Sequence, residues 1–420
     1  MRSILEKANM CVHCVTKPCQ VGCPFNNDIT AFIEDIKDKN YRHAYEILCQ
    51  TTVLPAICGR VCPYDKQCQG ACVKRVSYQA VPIGELEAFI GDMSIEQDWK
   101  IREKNIPKKS FKVAVVGSGP AGLTCAAFLA KNGITPVIYE KHNYLGGILY
   151  HGIPDFRLPK SILKKSIDKI LDLGVEVKLN QELGKDIMLE DLEKEYDAVF
   201  LGIGGNVSLM MQIPNENLEG VYGGNELLEN KNYSDYHGKT VIVSGGGNVA
   251  MDVSRTVKRL GAKHVYVIYR RSEKEMPATK SEIDDAKRDG VEFLFQHNIL
   301  SIDGDTKVEG VEVIKTELVQ KEGESRLSPV NIKGSNYHIP CDSVIMAIGS
   351  KVEEKVVSKL GLERNLRGKV KIDQDGRTSR EKVFAGGDLT NTPSTVAFAG
   401  RSGRDAAYAI LEYLKIKYSI

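Results

Sequence analysis

The sequence predicts an α/β fold with two parallel-sheet domains, preceded by a small α-helical domain. Two β-branched strands, VAVV at 113–116 and TVIVS at 240–244, each run into a glycine-rich turn and then a helix-forming segment. A strand, a glycine turn and a helix in this order open a dinucleotide-binding unit. Nine of the eleven cysteines lie in the first 72 residues, ahead of both strands. We therefore expect a cysteine-rich domain followed by two Rossmann-like dinucleotide-binding domains.

Length and charge restrict the class of protein. The chain has 420 residues, which at about 150 residues per domain suggests about three domains. Its 57 Lys and Arg nearly balance 55 Asp and Glu, so charge gives no reason to expect a nucleic-acid partner. The apolar stretch at 123–130 is too short to cross a bilayer, and the first ten residues lack the apolar core of a signal peptide. We expect a cytoplasmic protein that binds neither membrane nor nucleic acid.

Changes in sequence pattern divide the chain into four segments. In the first, Asn27 or Asp28 is placed to cap the helical segment ITAFIEDIK. In the last, the strand SVIMAIG and a closing helix are expected to complete the first nucleotide-binding domain. The predicted segments are 1–108 for the helical domain, 109–237 and 341–420 for the first nucleotide-binding domain, and 238–340 for an inserted second one.

The cysteine spacing predicts bound metal. A chain in a reducing compartment uses such clusters for ligation rather than for disulfides. Zinc would also accept four thiolates, but its sites usually show two separated Cys-x2-4-Cys pairs. Dense thiolates that end in Cys-Pro instead favour iron–sulfur clusters. The first group contains Cys11, Cys14, Cys19 and Cys23, and the second contains Cys58, Cys62, Cys68 and Cys72.

The first glycine turn fits the G-x-G-x-x-G pattern. It comprises Gly117, Ser118, Gly119, Pro120, Ala121 and Gly122. Such glycines let the backbone approach a pyrophosphate at the start of a helix. Glu140 ends the next strand 18 residues later, where a carboxylate accepts the hydroxyls of an adenosine ribose. The alternative is a simple turn with Glu140 as ordinary surface charge.

The second glycine turn predicts an NADPH site. It contains Gly245, Gly247, Asn248, Val249 and Ala250, which match G-x-G-x-x-A. The following strand ends in Arg270 and Arg271, where NAD-specific folds place an acidic residue. Two guanidinium groups suit the 2′-phosphate of NADPH. The alternative is that both arginines form a solvated strand end.

The remaining cysteines argue against disulfide reduction. Residues 238–340 hold no cysteine, and Cys125 and Cys341 are each solitary. Because a flavin-facing redox pair needs two neighbouring thiols, a disulfide reductase is not expected. Cys125 lies in an apolar helical segment and is interpreted as core packing.

Two further signatures select FAD for the first site. Gly146-Gly147 and Gly386-Gly387-Asp388 resemble the paired motifs of flavoprotein reductases with two dinucleotide domains. That resemblance implies that Asp388 lies near the ribityl chain or pyrophosphate of FAD. Without it, Asp388 would be interpreted as a turn residue after two glycines.

Over its whole length the chain resembles the small (beta) subunit of NADPH-dependent glutamate synthase. Related proteins are the N-terminal half of dihydropyrimidine dehydrogenase and the large subunit of NADH-dependent ferredoxin:NADP oxidoreductase. The resemblance rests on the two cysteine groups and on CGRVCP at 58–63, GIPDFRLPK at 152–160, GGGNVAMD at 245–252, YRR with MPA after it, and AGGD at 385–388. Met10 is a departure, since relatives often carry Arg before the first cysteine.

The resemblance implies two 4Fe–4S clusters with interleaved ligands. One takes Cys11, Cys14, Cys19 and Cys72, and the other takes Cys23, Cys62, Cys68 and a carboxylate or amide, which matches Glu87 here. Spacing alone would have offered Cys58 in place of Glu87. The resemblance also places Arg157 and Thr395 beside FAD.

The expected activity is electron transfer: hydride from NADPH to FAD, then single electrons through the clusters to a protein acceptor. This chemistry requires no acid–base side chain, and no catalytic residue is assigned. The preferred role is the small subunit of a glutamate synthase-like complex, whose larger catalytic subunit is the partner. Alternatives are electron input to dihydropyrimidine dehydrogenase, exchange with ferredoxin with or without bifurcation, or a non-catalytic scaffold that holds clusters.

Overall fold

The structure is a computed structural model that divides into two compact units. The first unit contains residues 1–205 and 352–420, and the second contains 206–351. The residues described are 2–76, 79–102, 106–231, 233–321, 323 and 326–415. None of the helices within these ranges combines the length and the apolar character needed to cross a bilayer.

The N-terminal part of the first unit is helical. Its helices are α1 (Ile4–Ala8), α2 (Pro18–Val21), α3 (Ile29–Lys37), α4 (Tyr41–Cys49), α5 (Pro55–Val61) and α6 (Ile83–Glu96). Asp28 caps α3, because its Oδ1 accepts a hydrogen bond from the Ala31 N–H at 3.2 Å. A carboxylate at this position satisfies a backbone N–H that has no partner inside the helix. The cap predicted at Asn27 or Asp28 is therefore made by Asp28.

A parallel sheet follows in the same unit. Its first elements are β1 (Lys112–Val116), α7 (Pro120–Lys131), β2 (Thr135–Tyr139), α8 (Ile148–His151), α9 (Lys160–Leu171), β3 (Glu176–Lys178), α10 (Leu189–Glu195) and β4 (Ala198–Leu201). The strands β1, β2 and β4 are almost wholly buried, as expected for a parallel sheet covered on both faces.

The second unit contains another parallel sheet and an antiparallel extension. Its elements are β5 (Val207–Ser208), β6 (Val221–Gly223), α11 (Gly224–Asn230), β7 (Thr240–Ser244), α12 (Asn248–Arg259), β8 (His264–Tyr269), α13 (Lys280–Arg288), β9 (Glu292–Phe295), β10 (His297–Asp303), β11 (Gly310–Val319), β12 (Ser328–Asn331), β13 (Tyr337–Pro340), β14 (Ser343–Met346) and β15 (Ser350–Lys351). The parallel sheet has the order β6-β14-β7-β8-β9, and β10 to β13 form the antiparallel sheet.

The chain then returns to the first unit. The last elements are α14 (Glu354–Val357), β16 (Val383–Ala385) and α15 (Val396–Tyr413). Strand β16 joins β4 at the edge, which completes a sheet of order β16-β4-β1-β2-β3. Helices α15 and α7 pack closely, because Gly403 leaves room for the Ala121 carbonyl: a Cβ there would lie 2.0 Å from that oxygen.

The strand SVIM lies in a different sheet from the one expected. As β14 it pairs in parallel with both β6 and β7, so it belongs to the second sheet. The second unit consequently spans 206–351, while the sequence placed this domain at 238–340. A buried apolar strand carries no local mark of which sheet it joins, so the sequence pattern could not assign it.

One hydrophobic core serves the N-terminal helices and one face of the first sheet. Phe25, Phe32, Phe128 and Phe200 belong to the same buried cluster as residues of α15. The Cζ of Phe25 fills the space beside Gly400, where a Cβ would lie 2.4 Å from it. The cysteine-rich helices are therefore fixed against the first sheet within this unit.

Candidate cofactor sites

Four cysteines from two distant loops line the first cavity. Cys11, Cys14 and Cys19 come from the segment around α2, and Cys72 comes from the segment after α5. The two segments can meet because Gly22 has no side chain: a Cβ there would lie 2.8 Å from the Ala71 Cβ. The first predicted ligand set is thus brought together, and its role in ligation stays a prediction.

The second predicted set lines a second cavity. It contains Cys23, Cys62, Cys68 and Glu87, and Cys58 lines the same cavity. Glu87 projects from α6, whose Gly84 and Ala88 lie against Gly59 of α5. Both candidates for the fourth ligand therefore reach the site, and proximity alone does not choose between them.

Glu87 is a buried carboxyl that makes no ion pair with any of the described residues. Asn27 Nδ2 donates to its Oε1 at 3.4 Å, and Asn27 Oδ1 in turn accepts from Thr51 Oγ1 at 2.6 Å. Burial raises the pKa of Glu87 from 4.5 to about 8, because a low-dielectric site disfavours the charged form. A bound cationic group would reverse this effect, which suits Glu87 to metal ligation.

Burial raises the pKa of several thiols that line the two cavities. Burial raises the pKa of Cys19 to about 11 and that of Cys23 to about 12. Burial and the negative charge of Glu87 raise the pKa of Cys68 well above its usual value. Because iron binds thiolate rather than thiol, ligation here would release protons. The donor sets fit 4Fe–4S clusters, since soft thiolates converge on each cavity.

The first glycine turn leaves open space for a ligand at the start of α7. Gly119 is the N-cap residue of α7 with φ −68°, a conformation open to any residue. A Cβ added at Gly119 would meet nothing within 4 Å. Packing and backbone strain therefore do not explain this glycine. The open space in front of the helix N-terminus is where a pyrophosphate would approach, so the loop fits FAD.

A second glycine loop lies directly against the first. Gly147 has φ +51° and precedes α8. A Cβ there would lie 3.0 Å from the Gly119 Cα and 3.2 Å from its nitrogen. The predicted FAD residues Gly119 and Gly147 are thus brought together.

Glu140 lies beneath the first glycine turn and is buried. Its Oε2 accepts from the Ser118 backbone N–H at 3.0 Å and from the Ser118 hydroxyl at 2.5 Å. Its Oε1 accepts from the His142 N–H at 3.0 Å. The Ser118 hydroxyl also accepts from the Gly146 N–H at 3.0 Å, which ties the two glycine loops together. Glu140 is therefore more than ordinary surface charge, and Ser118 is a structural residue that motif reasoning missed.

Gly386, Gly387 and the Asp388 that follows them lie in the first unit, which also contains the first glycine turn. The Gly387 N–H donates to Ser402 Oγ of α15 at 2.8 Å, and a Cβ at Gly387 would lie 3.2 Å from the Ala121 Cβ. Among the described residues, none hydrogen-bonds the buried Oδ1 of Asp388. Burial raises the pKa of this carboxyl. An unsatisfied buried acceptor fits the hydroxyls of a ribityl chain.

A hydrogen bond connects the second cavity to the start of α15. Thr395 caps this helix by accepting from the Phe398 N–H at 3.3 Å. The Gln67 side chain donates to the same Thr395 hydroxyl at 3.5 Å. Gln67 and Ala397 both line the second cavity. Sequence reasoning missed Gln67, whose only local signal is its place before Cys68.

The second unit repeats the open glycine geometry. Gly247 caps α12 with φ −92°, and a Cβ there would meet nothing within 4 Å. Gly245 has φ +138° and leaves room for the Ala347 carbonyl, 2.2 Å from an added Cβ. Asn248, Val249 and Ala250 form the first turn of α12. This loop therefore fits a second dinucleotide pyrophosphate.

Arg270 and Arg271 directly follow β8, whose last residue, Tyr269, packs against Gly246 of the second glycine turn. Arg270 is exposed and Arg271 is half-buried. Among the described residues, none accepts a hydrogen bond from the buried Nε of Arg271. Burial raises the pKa of Tyr269, and the charges of Arg271, Arg270 and Arg326 oppose that rise. Arg326, which sequence reasoning missed, lies between β11 and β12, so its charge is a third cation near Tyr269.

Arg157 is half-buried in the turn before α9, where its backbone N–H donates to the Pro154 carbonyl at 3.0 Å. Its role beside FAD stays a prediction.

Comparison with known proteins identifies both parts of the chain. Residues 111–403 match the family model of pyridine nucleotide-disulphide oxidoreductases. Residues 1–99 match domain II of dihydropyrimidine dehydrogenase, a 4Fe-4S cluster domain.

Two curated relatives and one solved structure illustrate the similarity. The glutamate synthase [NADPH] small chain of Escherichia coli is 36% identical, over 98% of this chain and 91% of its own length. The NADPH-Fe(3+) oxidoreductase subunit beta of Geobacter sulfurreducens is 35% identical, over 95% of this chain and 64% of its own. FprA from Mycobacterium tuberculosis, solved with NADPH, has a TM-score of 0.64 at 19% identity, over 73% of this chain and 85% of its own. At that identity the structural match supports the fold alone.

Proposed function

We propose that this chain, which belongs to the glutamate synthase small-chain family within the pyridine nucleotide-disulphide oxidoreductases, passes electrons from NADPH to a protein acceptor. It is an NADPH-dependent oxidoreductase with FAD and 4Fe–4S clusters as cofactors. When bound, FAD accepts an electron pair from NADPH as hydride, and the clusters carry the electrons onward singly.

The connection between the second cavity and α15 carries this proposal. Gln67 reaches from the cavity to the Thr395 cap, and Ala397 of the same helix turn lines the cavity. Thr395 follows the Gly387-Asp388 segment that faces α7. Residues proposed to hold a cluster and residues proposed to hold FAD therefore share one short stretch of chain. A cluster that served only as a structural support would not need this proximity.

The protein residues position the cofactors in this proposal. The N–H groups at the starts of α7 and α12 hold the two pyrophosphates, and Glu140 exchanges its bonds with Ser118 for ribose hydroxyls. Arg270 and Arg271 pair with the 2′-phosphate. Asp388 accepts from the flavin chain. No side chain is required to move a proton, because the transferred hydride leaves NADPH directly.

The second cavity lies on the flavin side and the first lies beyond it. Cys68 of the second set is near enough to Cys19 of the first for the two thiols to affect one another electrostatically. Electrons would pass from the second cavity to the first and then to the acceptor. Because relatives of this chain are glutamate synthase small chains, we propose that the acceptor is the larger catalytic subunit of a glutamate synthase-like complex.

Anaerobic mixing of the purified protein with NADPH tests this function. We expect loss of flavin absorbance together with two reduced-cluster EPR signals, and slower reduction by NADH. Cys68→Ser should remove one signal and leave flavin reduction intact. Cys49→Ala is the matched control, since Cys49 is buried and lines neither described cavity. Flavin reduction without any cluster signal would refute the proposed pathway.

Co-purification tests the partner. An affinity-tagged chain, isolated from the native organism, should bring down a large subunit that makes glutamate only when both are present. Isolation of the chain alone, with rapid reduction of ferredoxin, would refute the glutamate synthase assignment.

A further inference from the structure

Three arginines lie near Tyr269 at the end of β8, and none of them forms an ion pair with a described residue. They are Arg270, Arg271 and Arg326. The buried Nε of Arg271 also has no hydrogen-bond acceptor among the described residues. Guanidinium groups held near one another repel, and an anion placed among them offsets that repulsion. The group therefore has the charge expected of an anion-binding site.

The antiparallel sheet holds the backbone that carries the first two arginines. Thr316 Oγ1 of β11 donates to the Arg270 carbonyl at 2.9 Å, and the Gln296 N–H donates to the Arg271 carbonyl at 3.0 Å. Thr316 and Gln296 are also bonded to each other, since the Thr316 N–H donates to the Gln296 carbonyl at 2.7 Å. Thr316 is buried. Its hydroxyl therefore has a defined task, which is to fix the position of Arg270.

The third arginine belongs to the hairpin that begins at this contact. Strands β11 and β12 pair so that Thr316 lies opposite Asn331 and Val319 lies opposite Ser328. Arg326 is exposed and comes two residues before Ser328, in the connection between the two strands. One hairpin therefore holds the Arg270 carbonyl with a buried hydroxyl and carries a further cation whose charge acts on Tyr269.

Acidic groups near these arginines do not balance their charge. Of the charges that act most strongly on the Tyr269 hydroxyl, three belong to the arginines and one belongs to Glu275. The Glu275 carboxylate also accepts a hydrogen bond from Ser272 Oγ. Glu322 and Glu324 precede the third arginine in the sequence and lie outside the described residues. Within the described residues, a net positive charge remains at this site.

We propose that Arg326 is a third binding residue for the 2′-phosphate of NADPH, and that Thr316 is a positioning residue that holds Arg270 for the same contact. This inference rests on the proposed function, because it takes Arg270 and Arg271 as the first part of that site. It adds the residues that select NADPH over NADH. A guanidinium binds phosphate through charge-assisted hydrogen bonds, and NADH offers no phosphate at this position.

Two adenosine nucleotides separate the 2′-phosphate from the rest of the cofactor. 2′,5′-ADP carries this phosphate and 5′-AMP lacks it, and calorimetric titration of the flavin-loaded protein gives both Kd values. Arg326→Ala should raise the Kd of 2′,5′-ADP about three- to tenfold, as expected for one charge-assisted contact at an exposed side chain, and leave that of 5′-AMP unchanged. Added salt should weaken 2′,5′-ADP binding less in this variant than in the wild-type protein. Arg288→Ala is the matched control, because Arg288 is exposed in the same unit.

A pair of substitutions tests the positioning role of Thr316. Thr316→Val removes the hydroxyl at similar volume and should raise the Kd of 2′,5′-ADP about two- to tenfold, with 5′-AMP binding unchanged. Thr316→Ser keeps the donor and should bind both nucleotides as the wild-type protein does. Equal losses for both nucleotides in Thr316→Val would overturn the positioning role, since the hydroxyl would then support the fold of the whole unit.

An unchanged affinity for 2′,5′-ADP in Arg326→Ala would overturn the third binding residue. Arg326 would then pair with one of its neighbouring glutamates or remain in solvent.

The wild-type preference separates this inference from the proposed function. If 2′,5′-ADP binds more tightly than 5′-AMP, and Arg271→Ala removes that preference while Arg326→Ala and Thr316→Val retain it, the arginine pair stands and the role of the hairpin is wrong. If the wild-type protein shows no preference, the phosphate site itself is wrong.

Discussion

Substitutions at Gly119 and Gly247 allow an effect on cofactor binding to be distinguished from an effect on folding. We predict that Gly119→Ala weakens FAD binding and that Gly247→Ala weakens NADPH binding, while each variant folds normally. In both positions the backbone has negative φ, and an added Cβ meets no atom within 4 Å. The methyl group would instead occupy the space in front of a helix N-terminus, which is where the pyrophosphate must approach.

The expected magnitudes differ between stability and binding. For stability, Ala is a poorer N-cap than Gly by up to about 1 kcal/mol, and the lower entropy of the unfolded chain returns about 0.4–1 kcal/mol. The two effects nearly cancel. For binding, a displaced phosphate loses at least one hydrogen bond to a charged group, worth about 1.5–3 kcal/mol. Since about 1.4 kcal/mol is tenfold in affinity, Kd should rise roughly 10- to 100-fold.

Each variant serves as the control for the other. Calorimetric titration of the flavin-free protein with FAD, and of the holoprotein with NADP⁺, gives the two affinities. Gly119→Ala should change only the affinity for FAD, and Gly247→Ala should change only the affinity for NADP⁺. The melting temperature should stay close to that of the wild-type protein. Wild-type affinity for FAD in Gly119→Ala would show that the space serves no pyrophosphate.

Three further predictions follow from the charged and titratable groups. Arg271→Ala should raise KM for NADPH about tenfold or more, through loss of a charge-assisted hydrogen bond, and leave KM for NADH unchanged in steady-state kinetics. Glu87→Ala should remove or alter one cluster EPR signal, whereas Cys58→Ala should retain both. In cluster-free protein, burial raises the pKa of Glu87 from 4.5 to about 8, so the unfolded chain ionises first. The free energy of unfolding should fall between these pH values by up to about 1.4 kcal/mol per unit, as measured by urea titration.

Matched variants check these three predictions. Arg288→Ala is the control for Arg271, because Arg288 is exposed on α13 of the same unit. An equal rise in KM for NADH would mean that Arg271 does not recognise the 2′-phosphate. Unchanged EPR spectra in Glu87→Ala would remove Glu87 from the ligand set. The pH slope should disappear in Glu87→Gln, and its persistence would assign the slope to another group.

Local motifs could be predicted from the sequence, but the sheet to which each strand belongs could not. The glycine turns at 117 and 245 were predicted because a strand, a turn and a helix leave a pattern within about 20 residues. The cap of α3 was predicted at Asn27 or Asp28 from its place before a helical segment, and Asp28 makes it. Strand β14 was placed in the wrong sheet, since its pairing with β6 and β7 depends on chain more than 90 residues away. Gln67 and Ser118 were missed because their partners are known only from the fold.

The second cavity also shows why spacing could not choose between Cys58 and Glu87. Both line it, and the Cys62 backbone N–H donates to the Cys58 carbonyl at 3.1 Å, so the two thiols are neighbours. If Cys62 binds iron, it does so as a thiolate, and a thiolate can only accept. With Glu87 as the fourth ligand, Cys58 would stay free to donate a hydrogen bond to the Cys62 sulfur.

We predict that Cys58→Ala changes the reduction potential of the cluster in the second cavity without changing its iron content. Hydrogen bonds to ligand sulfur help to set the reduction potential of a cluster. Cys58→Ala removes a donor to Cys62, so the cluster in the second cavity should become harder to reduce, while the iron content stays at the wild-type value. EPR-monitored redox titration measures the shift, with Cys49→Ala as the control. Loss of that cluster in Cys58→Ala would instead make Cys58 the ligand, and Glu87 would then remain a buried, protonated neighbour.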